Sequence, residues 1–291
     1  MASNKRIRLR EGMTRGNFEK MKAGVGLQRF TLEDENRDGF IAQASDLGHR
    51  SQGRNQIEQL DVFYDQSLIT SVEGIIKIGK EASAYRCRAG EALGGGFVVA
   101  KVYRAKQYRF KNDAVYQEGR ERMLSGRIRR SLAKKTGFGR EVHGGLWVKH
   151  EWETLHILHG AGVHVPQPLA SAEDALLMQY FGDEDEAAPQ LNRVRLGPEE
   201  ASRIFKVLLS DVETMLACHL VHGDLSPHNV LYWQGVPVII DLPQAVDPRF
   251  NSQARELFLR DISNVCGYFK KENEAHSIGT DLWARYELGA L

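Results

Sequence analysis

The stretch HGDLSPHNVLYWQGVPVIID, residues 222–241, constrains this chain more than any other part of it. Two short apolar runs, Val230 to Tyr232 and Val238 to Ile240, flank Gln234-Gly235. Such runs about a glycine-bearing pair read as a β-hairpin. Polar residues gather only at its ends, with His222, Asp224, Ser226, His228 and Asn229 before the first run and Asp241 after the second. A hairpin returns its ends to one place, so Asp224, Asn229 and Asp241 are expected to meet. An Asp or Asn alone in a loop is ordinarily a turn cap. An Asp, an Asn five residues on, a two-strand ribbon and a second Asp after three β-branched residues together call for a chemical account.

Phosphoryl transfer from ATP supplies one. It needs metal ions clamped on the phosphates and a carboxylate aimed at the attacking hydroxyl, with little covalent help from the protein. Asp224 is the expected catalytic carboxylate, and Asn229 and Asp241 are hard oxygen ligands for Mg²⁺, or Mn²⁺ in its place. Upstream, Gly79-Lys80-Glu81-Ala82-Ser83 lies between two strand-like runs, where small residues let backbone amides approach phosphate oxygens. This is neither a GxxxxGK[ST] loop nor a full GxGxxG, and a hairpin turn explains it equally well on its own. Lys101, within GFVVAKVY, says more, because a lysine in a half-buried strand rarely sits without a partner. The partner expected is Glu151 rather than Glu153, because Glu151 shares a helical face with Trp147, Leu155 and Leu158. His156 and His159 receive no role, and His222 is expected to order the catalytic loop.

Organisation follows from the same patterns. Residues 1–60 lack a sustained apolar period and read as a polar extension with at most one short helix. Strands are expected over residues 74–80, 84–88 and 96–103 and again beyond Val165, Pro166 and Pro168, residues 175–181 are a short apolar run, and helices are expected over 147–159, 198–220 and 252–269, with little regular structure after 269. Pro198, Glu199 and Glu200 give the second helix a strong start. Gly182 and the acidic string Asp183 to Glu186 mark an expected boundary between a first unit, 61–180, and a second, 181–291. Residues 104–140 hold 12 Lys or Arg against Asp113, Glu118 and Glu121, a strongly basic insertion in a chain of net charge +1. Cys87, Cys218 and Cys266 lack the pairing or spacing of a disulfide framework or four-ligand zinc site. No apolar run approaches membrane-spanning length, and no apolar segment follows the N-terminal charges as in a secretory signal. A cytoplasmic protein without membrane attachment is expected.

Assembled, these residues resemble the RIO family of atypical serine protein kinases, over roughly residues 61–270. The likeness rests on Gly79-Lys80-Glu81-Ala82, on Trp147 with Glu151, on GVHVPQP at 162–168, and on residues 222–265, especially IDLPQAV and FLRDISNV. It implies an α+β, two-lobed protein-kinase-like fold, with a small antiparallel-sheet N-lobe and a trimmed, mainly helical C-lobe. It also implies Mg-ATP as cofactor, with Lys101 on the phosphates and Asp224 catalytic. Asn229 and Asp241 would hold the metal. Gly79, Lys80, Glu81, Ala82, Ser83, Lys101, Met178, Gln179 and Phe181 would line the nucleotide. The usual activation loop and peptide-binding helices are lacking in that family, in keeping with only 50 residues after Asp241. The basic segment sits where the family carries a flexible insertion, and its Ser125 and Ser131 are candidate autophosphorylation sites.

Two departures bear on the acceptor. The family loop commonly reads Ser-Glu-Tyr-Asn, whereas Ser226-Pro227-His228-Asn229 resembles small-molecule kinases of the aminoglycoside and choline type. Gln179 stands where an acidic hinge residue is common. A protein serine is the acceptor expected, and a small alcohol is the alternative. A third reading is an ATPase-like switch associated with RNA or the ribosome, with Asp241 as its phosphorylated group. The clustered cations favour phosphate binding, although aromatic residues for base stacking are sparse there.

Overall fold

The computed structural model describes residues 57–103, Tyr116, Glu118 and 137–291. Most of the polar extension and of the basic insertion, including Ser125 and Ser131, lies outside the described residues.

A short helix, α1 (Asp61–Asp65), precedes three strands, β1 (Ile69–Ile78), β2 (Ala82–Ala89) and β3 (Phe97–Tyr103). The long helix α2 (Gly137–Gly160) follows, then β4 (Pro168–Ser171) and β5 (Ala175–Gln179). These strands form one antiparallel sheet in the order β1-β2-β3-β5-β4. Alternation along β3 divides its two faces. Val98, Ala100 and Val102 join Leu60, Phe63, Ile69 and Cys87 in a small cluster closed by the chain just before the sheet. Val99, Lys101 and Tyr103 point the other way, where Tyr103 and Val99 pack into the main core with Trp147, Leu176 and Met178.

The second part is helical around a ribbon. Helix α3 (Pro198–Ala217) leads to a loop, the hairpin β6 (Val230–Trp233) and β7 (Val236–Ile239), and helices α4 (Ala254–Tyr268) and α5 (Glu272–Glu287). Gln234 (φ 48°) and Gly235 (φ 80°) form the two-residue turn, whose left-handed pair suits the twist of a hairpin. Ile204, Leu208, Val212 and Met215 of α3 pack with Phe258, Ile262 and Val265 of α4 in the core.

Helix α5 corrects the expectation of little structure after 269. Its apolar positions are few, and Gly279 in mid-helix weakens the signal. Tertiary packing overrides it. A Cβ on Gly279 would lie 2.7 Å from Leu259 Cδ2, so α5 passes close to α4 there, while Leu282 and Trp283 bury themselves in the core. Helix α2 begins ten residues earlier than expected, because the glycines at 139, 144 and 145 mask its start.

Candidate active site

The loop between α3 and β6 is fixed by its own residues and by α4. His222, buried, lies 3.1 Å from the Ile240 carbonyl through Nε2, and its Nδ1 accepts the Asp224 N–H at 3.2 Å. The proton therefore sits on Nε2, which donates to the carbonyl. Burial holds the imidazole below its usual pKa, against the raising influence of the Ile240 bond, Asp241 and Asp224. Gly223 has φ +80°, and a Cβ there would stand 2.9 Å from the Gln244 carbonyl. Only glycine fits that approach.

Asp261 of α4 grips both sides of Asp224. Its Oδ2 accepts the Gly223 N–H at 2.8 Å and its Oδ1 the Leu225 N–H at 2.9 Å. Arg260 donates to the Gly223 carbonyl, and Asn264 Nδ2 to that of Leu225 at 3.0 Å. Burial pushes the Asp261 carboxyl up to about 7, with the two N–H donors and Arg260 opposing. These three residues stood in the sequence without an assigned role. The available signal was a carboxylate on the apolar face that Phe258, Ile262 and Val265 give α4, since a buried Asp needs partners.

Asn229 closes the loop onto Asp224. Its Nδ2 donates to the Asp224 carbonyl at 2.9 Å and to Oδ2 at 3.3 Å, which turns Asn229 Oδ1 towards other use. The Asp224 side chain itself is exposed. The hairpin then returns the chain, with the Ile240 N–H bonded to the Asn229 carbonyl at 2.9 Å. Asp241 follows at φ +68°. A left-handed conformation is uncommon in a non-glycine residue and is adopted more readily by Asp than by most.

Asp241 meets the sheet. Lys101 Nζ stands 2.7 Å from Asp241 Oδ1 and 2.7 Å from Glu151 Oε1. Glu151 also accepts the Leu242 N–H at 3.1 Å and the Tyr103 hydroxyl. Glu153 instead pairs on the surface with Lys149, at 3.7 Å. Burial opposes charge on Lys101, but the two carboxylates outweigh it and raise its pKa. Desolvation likewise pushes Asp241 up, and the Lys101 charge and hydrogen bond prevail, holding it below the usual carboxylate range with help from Lys77 and His222.

The turn between β1 and β2 closes with the Gly79 N–H on the Ala82 carbonyl, 2.9 Å. Burial and then the Asp241 charge raise the pKa of Glu81, Asp224 adding and Lys101 and Lys80 opposing, so this loop faces the same cleft. Lys80 is exposed. Ser83 is buried and in register with Val102, whose side chain lies on the far face, so only its backbone can serve the cleft. Met178 packs on the cleft side, while Gln179 turns to Gln167, accepting its N–H at 3.3 Å. The Phe181 carbonyl is taken by the Ala188 N–H at 2.9 Å.

No cluster of three or more His, Cys, Asp or Glu side chains suited to a metal occurs among the described residues. One carboxylate and one amide oxygen nevertheless fit magnesium, which commonly takes one or two protein ligands and draws the rest from phosphates and water. The Asp241 side chain remains 41% exposed, open on the cleft side despite its bond to Lys101. The connected series Asp224, Asn229, Asp241, Lys101, Glu151 can thus orient a hydroxyl, hold a hard cation and bind phosphate in one cleft. No helix among the described residues is long and apolar enough to cross a membrane.

Comparison with known proteins follows the same lines. Residues 83–281 match the family model described as the RIO domain. The chain is 29% identical to the serine/threonine-protein kinase rio1 of Schizosaccharomyces pombe, over 70% of this chain and 39% of that protein. It is 32% identical to the RIO-type serine/threonine-protein kinase Rio1 of Haloferax volcanii, over 70% of this chain and 65% of that protein. The Rio1 of Thermoplasma acidophilum is 32% identical over 65% of this chain and 90% of its own length. Among solved structures, the Rio2 kinase-ADP/Mg²⁺-phosphoaspartate complex from Chaetomium thermophilum superposes with a TM-score of 0.56 at 18% identity, covering 82% of this chain and 74% of that one. The two-lobed kinase-like architecture is shared.

Proposed function

The chain belongs to the RIO family, and from that premise we propose that it transfers the γ-phosphoryl group of ATP to a serine or threonine hydroxyl of a protein. One observation carries this reading: Lys101 of the sheet is bonded at once to Glu151 and to Asp241, and Asp241 is joined through the hairpin to Asn229 and Asp224.

Lys101, oriented by Glu151, binds the phosphates. The turn from Gly79 to Ser83 covers them through backbone amides other than that of Gly79, which the Ala82 carbonyl takes, with Lys80 adding charge, and Met178, Gln179 and Phe181 border the base. Asn229 and Asp241 would hold Mg²⁺, which when bound would supply positive charge to offset that of the phosphates. Asp224 orients the acceptor hydroxyl and takes its proton while the new O–P bond forms and ADP departs. The 41% exposure of Asp241 and its left-handed backbone suit a ligand that must face outward into the cleft.

The test is incubation of the full chain with γ-labelled ATP, Mg²⁺ and casein, followed by phosphoamino-acid analysis. Acid-stable phosphoserine or phosphothreonine, lost in Asp224→Asn, is expected. Label confined to a small alcohol, or to a hydroxylamine-sensitive acyl phosphate, would sink the reading.

A further inference from the structure

The insertion between β3 and α2 touches the catalytic loop at a residue with no role so far. Tyr116 is buried in the main core, and its ring rests on Gly223, where an added Cβ would stand 3.3 Å from Tyr116 Cε1. Its hydroxyl lies 3.4 Å from the Gly223 carbonyl, a weak donation. Arg260 donates to the same carbonyl and lies beside the Tyr116 hydroxyl.

Two residues further, Glu118 is tied to the turn that precedes α4. Its Oε2 accepts the Ser252 N–H at 3.2 Å and the Ser252 hydroxyl at 2.8 Å, and Asn251 Nδ2 reaches its carbonyl at 3.5 Å. A carboxylate near a helix N-terminus is favourably placed. Tyr116 and Glu118 are therefore fastened to one helix, α4, which itself grips Gly223 and Leu225 through Arg260 and Asp261.

The bond from the Gly223 carbonyl to the Asp224 N–H is a planar peptide. Fixing its oxygen from Tyr116 and Arg260, and its N–H from His222, fixes the plane from which the Asp224 side chain departs. An ordinary core tyrosine would need only apolar neighbours and a partner for its hydroxyl. Tyr116 instead places its ring on the peptide preceding the reactive carboxylate.

We propose that Tyr116 is a positioning residue for Asp224, acting through the Gly223–Asp224 peptide, and that Glu118 anchors it there. The insertion thereby supplies part of the support of the catalytic loop. This rests on the reading of Asp224 as the carboxylate that orients the acceptor.

The experiment compares Tyr116→Ala, Tyr116→Phe, Glu118→Ala and Asp224→Asn in the full chain, measuring kcat and KM for ATP with casein, Mg-ATP affinity by calorimetry, and the midpoint of thermal unfolding. Misplacing a catalytic group by an ångström can cost up to about 100-fold. The expected result is a kcat about 10-fold lower in Tyr116→Ala, with Mg-ATP affinity unchanged within about twofold, and rescue to within about threefold by Tyr116→Phe, which keeps the ring. Glu118→Ala, an exposed change that spares the core, is expected to lower kcat about threefold at unchanged Mg-ATP affinity, and it decides the matter if Tyr116→Ala does not fold. Full kcat in both Tyr116→Ala and Glu118→Ala, beside a dead Asp224→Asn, overturns this inference alone. A fall in kcat matched by an equal loss of Mg-ATP affinity also overturns it, as does full kcat in Glu118→Ala where Tyr116→Ala is unfolded. Turnover surviving in Asp224→Asn overturns the reading of Asp224, and this inference with it.

Discussion

At the scale of single residues, the site depends on charges that are buried only because they are paired. Lys101 and Glu151 are nearly closed off from solvent, at 13% and 2% side-chain exposure. Breaking such a pair leaves the survivor uncompensated, which costs about 3–5 kcal/mol. Lys101→Met is therefore expected to lose stability of that order in urea unfolding, as well as ATP turnover. Asp241 differs, being half-exposed, so Asp241→Ala should change the apo stability far less and instead abolish stabilisation by Mg-ATP. Thermal unfolding with and without Mg-ATP reads that directly. His222 carries a pH dependence. Free imidazole in the unfolded chain protonates near 6.5, and the folded pKa is lower, so between those values the unfolded state binds the extra proton. Stability should accordingly be full above about pH 6.5 and decline as the pH falls towards the folded value. A His222→Gln variant should flatten that slope in urea titrations across the range.

At the scale of elements, α4 governs the loop that carries Asp224. Arg260, Asp261 and Asn264 lie on successive positions and one turn on, so a single helix face holds the backbone on both sides of Asp224. Asp261→Ala removes the acceptor for two buried N–H groups, each costing about 1–3 kcal/mol when left unsatisfied. A loss of several kcal/mol, or a catalytic loop with faster amide exchange at Gly223 and Leu225, is expected; unchanged exchange at both would contradict it. Helix α5 passes close to α4 at Gly279. Gly279→Ala would crowd only Leu259 Cδ2, the end of a half-exposed side chain that can turn aside, so the cost in urea unfolding should be small, offset by the roughly 1 kcal/mol better helix propensity of alanine.

At the scale of the whole molecule, the sheet and the helical part meet through the cleft. Lys101 and Glu151 come from the sheet side, and Asp241 and Leu242 from the ribbon side. A ligand that binds both sides should stabilise the fold by mass action, about 2.7 kcal/mol at one hundred times its Kd. Mg-ATP is expected to raise the unfolding midpoint, and chelation of the metal by EDTA to remove most of that rise.

The sequence by itself determined the family likeness, the candidate site residues and much of the frame. Asp224, Asn229 and Asp241 were legible because a hairpin has a short, local code: two β-rich runs, a glycine turn, and polar residues at the ends that must then converge. Lys101 was legible as a charge in an apolar strand, and Glu151 as a polar residue on an apolar helical stripe. Tertiary structure decided what no local pattern encodes. Asp261 reads as one acid on a helix until α4 packs beneath the loop, and Tyr116 reads as one aromatic in a basic stretch until it reaches Gly223, 107 residues away. Helix α5 lacks the periodicity to declare itself and is held by the packing of Ala275, Leu282 and Trp283 into the core. These contacts depend on which surfaces meet, and that is set by burial over the whole chain rather than by the spacing of residues along it.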